Sequence, residues 1–452
     1  MPAPSLTNVN QPGLTGWLAG KSHIVVGLYA LTASFITYFC MYAFRKPFAV
    51  GTYQHITLWG GEIDFKIAIV IAQALGYAAS KLIGIKVVAE AGPQTRARLI
   101  LLFIGLSLLS LVLFAVLPAP LKVVAIFFSG LPLGMIWGLV FGYLEGRRMS
   151  EILGAGLCIS FIVSSGAVKT VGSLLIVDCG VPEIWMPALT GALFFPLLAT
   201  AVWFLAQTPP PDAADQAERM SRSPMYRQER KAFIAKTGVG LVLLILAYVV
   251  LTTLRDFRDN FAAEIWQSLG YADAPAVFSL SEIPVALIVL VLFAATCVIR
   301  DNRKAVLMYH GVIIAGAVLV AIATYAFQTH RIDAVWWMIL VGSGIYVGYV
   351  PYNAVLVDRM TAATALPGNA AFFMYLSDAS GYVGSVGLML WKNFAHWHIS
   401  WLAFFVRLNY WSALIVSVAT AASYAYFRYR VFASPVRAPA HETTKNVEAV
   451  TP

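Results

Sequence analysis

Charged side chains are scarce in this sequence. They make up 12% of its 452 residues, whereas hydrophobic residues make up 60%, and the mean hydropathy is +0.76. A water-soluble chain of this length would fold into domains with ordinary charged surfaces. The shortage of charge therefore argues against a soluble globular protein and indicates helices that cross a lipid bilayer.

Cysteine is also scarce, and the common cofactor motifs are missing. Four cysteines, Cys40, Cys158, Cys179 and Cys297, are scattered along the chain without the spacing of metal ligands. The sequence contains no Walker A pattern, no Rossmann fingerprint after a strand, and no recognisable nucleophile–base set. We therefore expect no metal, no cofactor and no enzymatic activity.

Long apolar runs dominate what is present, and a run of about 18 residues can cross a bilayer as a helix. The first run does not read as a cleaved signal peptide: residues 1–20 carry no positive charge, the apolar stretch is too long for a typical signal core, and no small-residue cleavage site closes it. We predict twelve spans, at 22–46, 64–88, 97–118, 121–144, 150–177, 184–206, 233–260, 275–299, 303–327, 332–357, 367–391 and 400–427.

A polar, proline-rich stretch divides these spans into two sets of six. It contains three consecutive prolines, then acidic residues, then basic residues, a composition typical of a linker. The fold class expected is an all-α membrane protein with two pseudo-symmetric six-helix halves. The predicted divisions are an N-terminal half at 1–206, a cytoplasmic linker at 207–232, a C-terminal half at 233–432 and a disordered tail at 433–452.

Lysine and arginine are distributed unevenly between the two sides of the predicted bundle. Of the 31 in the chain, 20 fall on the side that holds both termini and 8 fall on the other side or at its helix ends. Positive charge favours the cytoplasmic side of a membrane, so both termini are expected in the cytoplasm. The net charge of +9 then describes a basic cytoplasmic face, and we expect no nucleic-acid partner.

Two arginines occupy matching places in the two halves. Arg45 and Arg255 each follow an uncharged run, each comes seven residues after a tyrosine (Tyr38 and Tyr248), and they lie 210 residues apart. A guanidinium forks two N–H bonds to a phosphate or carboxylate and stays charged. Repeat-built transporters bind substrate where their halves meet, so this echo predicts a pseudo-symmetric anion site.

Several motifs resemble one family. Tyr42-Ala-Phe-Arg45-Lys46-Pro-Phe48 and the stretch from Ala74 to Gly84, which includes Ser80-Lys81, resemble the first two helices of organophosphate:phosphate antiporters. These are major facilitator superfamily carriers of glycerol 3-phosphate and hexose phosphates. Further similarities are Leu254-Arg255 in the seventh span, Glu282-Ile-Pro284 in the eighth and Ser380-Gly-Tyr-Val-Gly-Ser385 in the eleventh. The resemblance implies the twelve-helix fold, two substrate arginines and exchange against inorganic phosphate.

The sequence departs from that family at three places. The acidic–Arg loop after the second span is degenerate (88–96), and Ser164-Ser165-Gly-Ala-Val-Lys169 stands where the family has a histidine. Gly381 stands one turn after Asp378, where hexose-phosphate carriers place a lysine. These departures indicate a divergent branch with its own substrate.

Charges within the spans are few, and each costs about 2.5–3.5 kcal/mol on insertion scales unless it has a partner or a wet cavity. Two roles are open for Lys81 and Lys169: substrate ligand or structural ion pair. The family fold packs helix two beside eleven and five beside eight, which implies the pairs Lys81–Asp378 and Lys169–Glu282.

Two charged residues close to these arginines in the sequence lead to separate predictions. Asp259 lies four residues after Arg255 and predicts a local ion pair with it. Lys46 lies about 100° around a helix from Arg45, and we expect it to snorkel outward.

The function expected is secondary active transport of a small organic anion, with a phosphate ester as the leading substrate class. The candidate ligands are Arg45, Arg255, Lys81, Lys169, Tyr42 and Tyr38. Two alternatives stay open: a proton-coupled carboxylate transporter, with Asp378, Glu282 or Lys169 as the coupling group, and a transporter-like sensor without flux. A monomer in a bacterial inner membrane is expected.

Overall fold

The computed structural model describes residues 13–144, 150–210, 227–296, 299–364, 370–395 and 399–433. Within these ranges lie twelve helices of 20 to 34 residues, and ten of them are long and apolar enough to cross a membrane. They are α1 His23–Arg45, α2 Phe65–Glu90, α3 Pro93–Val116, α4 Ala119–Phe141, α5 Ser150–Val177, α6 Met186–Ala206, α7 Arg227–Asn260, α8 Val277–Thr296, α9 Asn302–Gln328, α10 Ala334–Ala354, α11 Ala370–Phe394 and α12 Trp401–Tyr426.

Each of the twelve predicted spans coincides with one of these helices, so the all-α fold class is confirmed. The predicted division into halves, linker and tail stays a prediction. Most of the linker, 211–226, and nearly all of the tail, 434–452, lie outside the described residues, and α7 begins at Arg227, inside the predicted linker.

Local sequence signals set the helix ends that matter for the site. α1 ends at Arg45, with Lys46 following at φ −110°, because Pro47 has no backbone N–H with which to continue the helix. Pro47 then begins a short 3₁₀ helix, Pro47–Val50. α2 begins after Asp64, whose carboxylate accepts the N–H of Ile67 at 2.9 Å, as acidic caps commonly do. Arg45 and Lys46 are thereby held at the last turn of α1.

Helix packing repeats between the two halves. In the first half α1 packs against α5 and α6, α2 against α4, and α3 against α6. In the second half α7 packs against α11 and α12, α8 against α10, and α9 against α12. Each pair in the first half thus recurs six helices later. This is the pseudo-symmetry that the two matching arginines predicted.

The halves meet along α5–α8 and α2–α11. The pairing of helix two with eleven and of five with eight, implied by the family resemblance, is therefore confirmed. Gly166 lets α5 approach α8 closely, because a Cβ there would lie 2.6 Å from the carbonyl oxygen of Phe278. Small residues commonly allow such close helix contacts in lipid.

The two ends of the bundle form opposite faces. The predicted external face is the end at which α1, α3, α5, α7, α9 and α11 finish, and the predicted cytoplasmic face is the opposite end. Between them, large apolar side chains on the outside of the bundle are exposed, as expected for a surface that contacts lipid tails. Examples are Leu280, Leu287, Val291, Trp411 and Val418.

Candidate functional site

Arg45 lies at the end of α1 with its guanidinium against aromatic rings. The guanidinium carbon is 3.9 Å from the centre of the Tyr77 ring on α2 and 5.6 Å from that of Tyr42. Gln73 fixes the backbone by donating to the Arg45 carbonyl oxygen at 2.9 Å. Among the described residues, no hydrogen-bond acceptor or carboxylate contacts the guanidinium, and its Nε is buried without a partner. The cation is held by ring faces, with its buried Nε–H donor unused.

Arg255, the matching arginine of the second half, is also held against a tyrosine. Its guanidinium carbon is 4.2 Å from the centre of the Tyr349 ring on α10. Unlike Arg45, it has an acceptor: Nε and Nη2 donate to one oxygen of Asp256 at 3.2 and 2.8 Å. Both side chains are slightly accessible, at 16% and 13%. Arg255 therefore has charge compensation from an adjacent residue.

Tyr42 lies near both arginines. It interacts electrostatically with Arg45, with Arg255 and with Asp259, and its ring contacts that of Tyr38 edge-on at 5.6 Å. Arginines from opposite halves are thus brought to one tyrosine-lined region. Whether Tyr38, Tyr42 and the arginines bind a substrate stays a prediction.

A buried cluster of charges joins the halves at the predicted external face. We call Lys46, Ser165, Lys169 and Asp259 the external cluster. The Asp259 carboxylate, at the end of α7, is in contact with the ammonium groups of both Lys46 and Lys169. Ser165 donates to it at 2.6 Å, and Lys169 also donates to the Asp259 backbone carbonyl at 2.6 Å. One carboxylate of the second half is thus bonded by three side chains of the first.

The external cluster corrects two expectations about single residues. Lys46 does not snorkel outward: it is 7% exposed and bonded to Asp259. Asp259 does not pair locally with Arg255, which bonds to Asp256 instead. The physical reason is the position of the last turn of α7, one edge of which faces α1 and α5, so that Asp259 meets the lysines of the other half.

The predicted pair Lys169–Glu282 is also wrong. Glu282 accepts a hydrogen bond from Arg258 Nη1 at 2.6 Å, and Arg258 Nη2 donates to the carbonyl of Met338 at 3.0 Å. Arg258 lies on the side of α7 that faces α8 and α10, closer to Glu282 than any lysine of α5. The negative charge of Glu282 is therefore compensated by an arginine of the same half, and Lys169 pairs with Asp259 instead.

Further contacts join the halves at the same face, and they were not predicted from the sequence. Lys66, near the start of α2, lies 2.5 Å from Glu264 of the short helix Ala262–Ser268 and donates to the Ala49 carbonyl at 2.8 Å. Asn393 of α11 accepts from the Asp64 backbone at 3.0 Å. The charged residues at the ends of the spans could have indicated these contacts. Their partners, however, lie in the other half, and the sequence does not show which residues meet. Together with the external cluster, these contacts join the two halves at the predicted external face.

Asp378 accepts a hydrogen bond from one tyrosine of the second half, and a second tyrosine lies beside the first. Tyr248 of α7 donates to its Oδ1 at 2.6 Å, and the hydroxyl of Tyr349 lies 3.2 Å from that of Tyr248. The side chain of Lys81 lies outside the described part of the structure. The expected pair Lys81–Asp378 therefore stays a prediction. In the ranges described, no three His, Cys, Asp or Glu side chains are grouped as metal ligands would be.

Comparison by sequence identifies a family but no characterised relative. The model of a family described as "Family of unknown function (DUF5690)" matches residues 47–430. A search of curated proteins finds no significant match.

Comparison by structure finds transporters. The nucleoside transporter NupG is 14% identical with a TM-score of 0.59 over 89% of this chain and 99% of that one. A D-xylose–proton symporter is 14% identical with a TM-score of 0.59, over 90% and 98%. A mutant of the peptide transporter POT in complex with sulfate is 13% identical with a TM-score of 0.60, over 93% and 97%. Identities this low show the fold alone, and it is the fold of the major facilitator transporters.

Proposed function

Because the chain belongs to the family of unknown function DUF5690 and has the fold of major facilitator transporters, we propose that it is a secondary active transporter of a small organic anion. The observation that carries the proposal is Arg45. Its guanidinium contacts two tyrosine rings inside a helix bundle and has no acceptor among the described residues. It is therefore a cation that lacks a counter-charge.

An anion would supply that counter-charge. Buried donors without partners cost free energy, and a hydrogen bond to a charged group contributes about 1.5–3 kcal/mol. A planar guanidinium suits a two-oxygen acceptor such as a phosphate or a carboxylate. Between these classes, the resemblance of 42–48 and 74–84 to organophosphate carriers favours a phosphate ester. Tyr38 and Tyr42 would add hydroxyl donors on the same side of α1.

The two halves suggest how binding would drive transport. Arg45 belongs to one half and Arg255 to the other, so an anion bonded to both favours the conformation in which they approach. That difference in affinity between conformations is what alternating access requires. The external cluster joins the halves at one face of the bundle, and separating the halves at that face would require Asp259 to leave both lysines. Following the distribution of Lys and Arg, we place this face outside a bacterial inner membrane, with both termini in the cytoplasm.

Flux measurements test the proposal. Purified protein is first screened by thermal stabilisation against phosphorylated and carboxylated metabolites. It is then reconstituted into liposomes loaded with inorganic phosphate, and uptake of the best labelled ligand is measured with and without a proton gradient. We expect saturable uptake that Arg45→Lys reduces, with dependence on internal phosphate indicating exchange. Dependence on the proton gradient alone would instead favour the proton-coupled carboxylate transporter.

Two results would contradict transport. Ligand-induced stabilisation without any flux would favour a transporter-like sensor, in which binding shifts a conformation that a partner reads. Chemical change of the ligand would reveal an enzyme.

A further inference from the structure

The last helix ends in a basic, aromatic segment at the predicted cytoplasmic face. α12 continues into one wide π-helical turn, Phe427–Val431, in which the N–H of Phe432 donates to the Phe427 carbonyl oxygen at 2.9 Å. Phe427 and Val431 are buried on the bundle side of this turn. The three residues between them are exposed: Arg428, Tyr429 and Arg430. The turn therefore presents two arginines and a tyrosine outward.

The length of α12 places this segment at the depth of lipid headgroups. The helix and its π turn form one span of 31 residues, Trp401–Val431, which at 1.5 Å per residue is about 46 Å long. The hydrocarbon core of a bilayer is about 30 Å thick, and the bilayer with its headgroups is about 40–45 Å thick. α12 starts at the predicted external face, so its last turn reaches the headgroups of the opposite leaflet.

Packing against α7 fixes the position of this segment. The Phe427 ring fills the space beside Gly240, where a Cβ would lie 2.6 Å from a ring carbon. One turn earlier, Ser423 donates to the Gly240 carbonyl oxygen at 2.9 Å. The exposed residues of the turn therefore extend from a backbone that is held against a neighbouring helix.

Ring faces hold two arginines at this corner of the bundle. The Arg428 guanidinium carbon lies 5.7 Å from the centre of the Tyr429 ring, and Nη1 donates to the Tyr424 hydroxyl at 2.9 Å. The guanidinium carbon of Arg303, in the first turn of α9, lies 5.8 Å from the centre of the Phe432 ring. In the described ranges neither guanidinium forms an ion pair with a carboxylate. Most of their N–H donors are therefore available to a ligand.

The same corner carries an excess of positive charge. Besides the two ring-held arginines, three exposed cations belong to it: Arg300, Lys304 and Arg430. The carboxylate of Asp301 also lies here, but it accepts the backbone N–H groups of Arg303 and Lys304 at 2.8 and 3.1 Å and thereby caps α9. Five cations and one carboxylate leave a surface that attracts anions. We call these five cations, together with Tyr429 and Phe432, the basic corner.

The equivalent corner of the first half is different. α6, the counterpart of α12, has 21 residues and no basic side chain in its last turn, and Gln207 beyond it accepts a hydrogen bond from Thr15 at 2.9 Å. At the start of α3, Arg96 donates to the carbonyl oxygens of Ala91 and Gly142 at 3.1 and 2.7 Å. That arginine is bonded within the protein, so a pair of outward-facing, ring-held arginines is not a requirement of the fold.

We propose that the basic corner binds the headgroup of an anionic phospholipid in the leaflet at the predicted cytoplasmic face. A guanidinium donates two parallel N–H bonds to phosphate oxygens, and aromatic rings favour the boundary between lipid tails and water. The acyl chains lie along exposed apolar residues of α12 such as Leu414 and Val418. This continuous apolar surface favours a lipid over a free phosphate ion. The site is separate from Arg45 and does not depend on the proposed anion transport.

Lipid binding to the full chain in detergent tests the proposal. Native mass spectrometry measures the affinity of the tightest-bound phosphatidylglycerol and of phosphatidylcholine with the same acyl chains. Each basic residue near a membrane surface raises the affinity for anionic lipid about fivefold. We therefore expect wild type to bind phosphatidylglycerol about tenfold or more tightly than phosphatidylcholine. Arg303→Gln/Arg428→Gln should weaken phosphatidylglycerol binding about twenty-fivefold and leave phosphatidylcholine binding unchanged.

Two single variants complete the test. Arg430→Gln changes only an exposed side chain, so it should fold as wild type and weaken phosphatidylglycerol binding about fivefold. Arg98→Gln is the matched control, because Arg98 is an exposed arginine near the start of α3 and has no ring contact in the described ranges. It should bind phosphatidylglycerol as wild type. An equal loss in Arg98→Gln would show a general effect of surface charge and would overturn the site.

Three further results would also overturn it. They are equal affinity of wild type for the two lipids, unchanged phosphatidylglycerol affinity in Arg303→Gln/Arg428→Gln, and displacement of phosphatidylglycerol by millimolar inorganic phosphate, which would indicate a site for the free ion. Arg45→Lys should bind phosphatidylglycerol as wild type does. Failure of the lipid site is thereby distinguished from failure of the proposed anion site.

Discussion

Two adjacent cations at the end of α1, Lys46 and Arg45, are bonded differently. In the external cluster, Lys46 and Lys169 share the carboxylate of Asp259, which also accepts a hydrogen bond from Ser165. One residue before Lys46 in the chain, Arg45 rests on tyrosine rings and, within the described ranges, contacts no acceptor. Adjacent residues of one helix end thus differ in whether their charge is compensated.

The difference distinguishes cations that stabilise the arrangement of the halves from a cation that is available to bind a ligand. A compensated, buried ion cluster between two halves stabilises one arrangement of those halves, and removal of one member leaves charges without partners. An uncompensated guanidinium contributes little to that arrangement and keeps its donors for a ligand. We therefore expect substitutions in the external cluster to reduce stability, and substitutions at Arg45 to reduce anion binding with stability preserved.

The largest effect is expected from Asp259→Asn. It leaves Lys46 and Lys169 buried without a carboxylate, a change that costs about 3–5 kcal/mol in comparable buried pairs. The midpoint of thermal denaturation in detergent should fall clearly. Asp333→Asn is the control, since Asp333 is an exposed helix cap and asparagine caps equally well. Equal stability of the two variants would contradict the structural role of the cluster.

A similar loss of stability is expected for single substitutions of Lys81 and Asp378, provided that the two side chains form an ion pair. If the two side chains pair, Lys81→Met and Asp378→Asn should each lower stability or transport more than the double variant does, because only the single variants leave an unpaired charge. The measurement is a double-mutant cycle on thermal stability and flux. Additive losses would show that the two side chains do not touch and would leave Asp378 to Tyr248.

A smaller effect, of opposite sign, is expected from Asp256→Asn. This substitution removes the charge that competes with a ligand for Arg255. Partly exposed ion pairs are worth up to about 1 kcal/mol, so anion affinity should rise about two- to fivefold. Calorimetric titration of wild type, Asp256→Asn and Asp333→Asn with the same anion measures it. A fall in affinity would indicate that Asp256 helps to position Arg255 and does not compete for it.

Much of the fold could be predicted from the sequence. Apolar runs longer than a bilayer needs predicted all twelve helices, because lipid leaves the backbone little alternative to a helix. The 210-residue echo of Arg45 and Arg255 predicted two like halves. Helix pairs between the halves followed from the family resemblance, and the helix contacts confirm them.

The partners of the charged side chains could not be predicted in the same way. Arg255, Asp256, Arg258 and Asp259 lie close together on α7, where successive residues are about 100° apart around the axis, so they face different neighbours. Spacing along one helix cannot say which neighbouring helix offers a partner. The local pair expected for Asp259 was wrong for this reason, since the partner lysines lie at the end of α1 and on α5. Lys66 and Glu264 escaped notice because Lys66 lies at the very start of its predicted span and Glu264 lies beyond the end of its nearest one.

The central claim is that Arg45 is an unpaired cation kept for an anion, and one paired measurement tests it most directly. Anion affinity and thermal stability are determined for wild type, Arg45→Lys and Arg407→Lys, where Arg407 is an exposed arginine on α12. Lysine keeps the charge but loses the two-pronged donor. We predict that Arg45→Lys binds about tenfold or more weakly with unchanged stability, and that Arg407→Lys behaves as wild type. Unchanged affinity in Arg45→Lys, or a loss of stability as large as that of Asp259→Asn, would contradict the account.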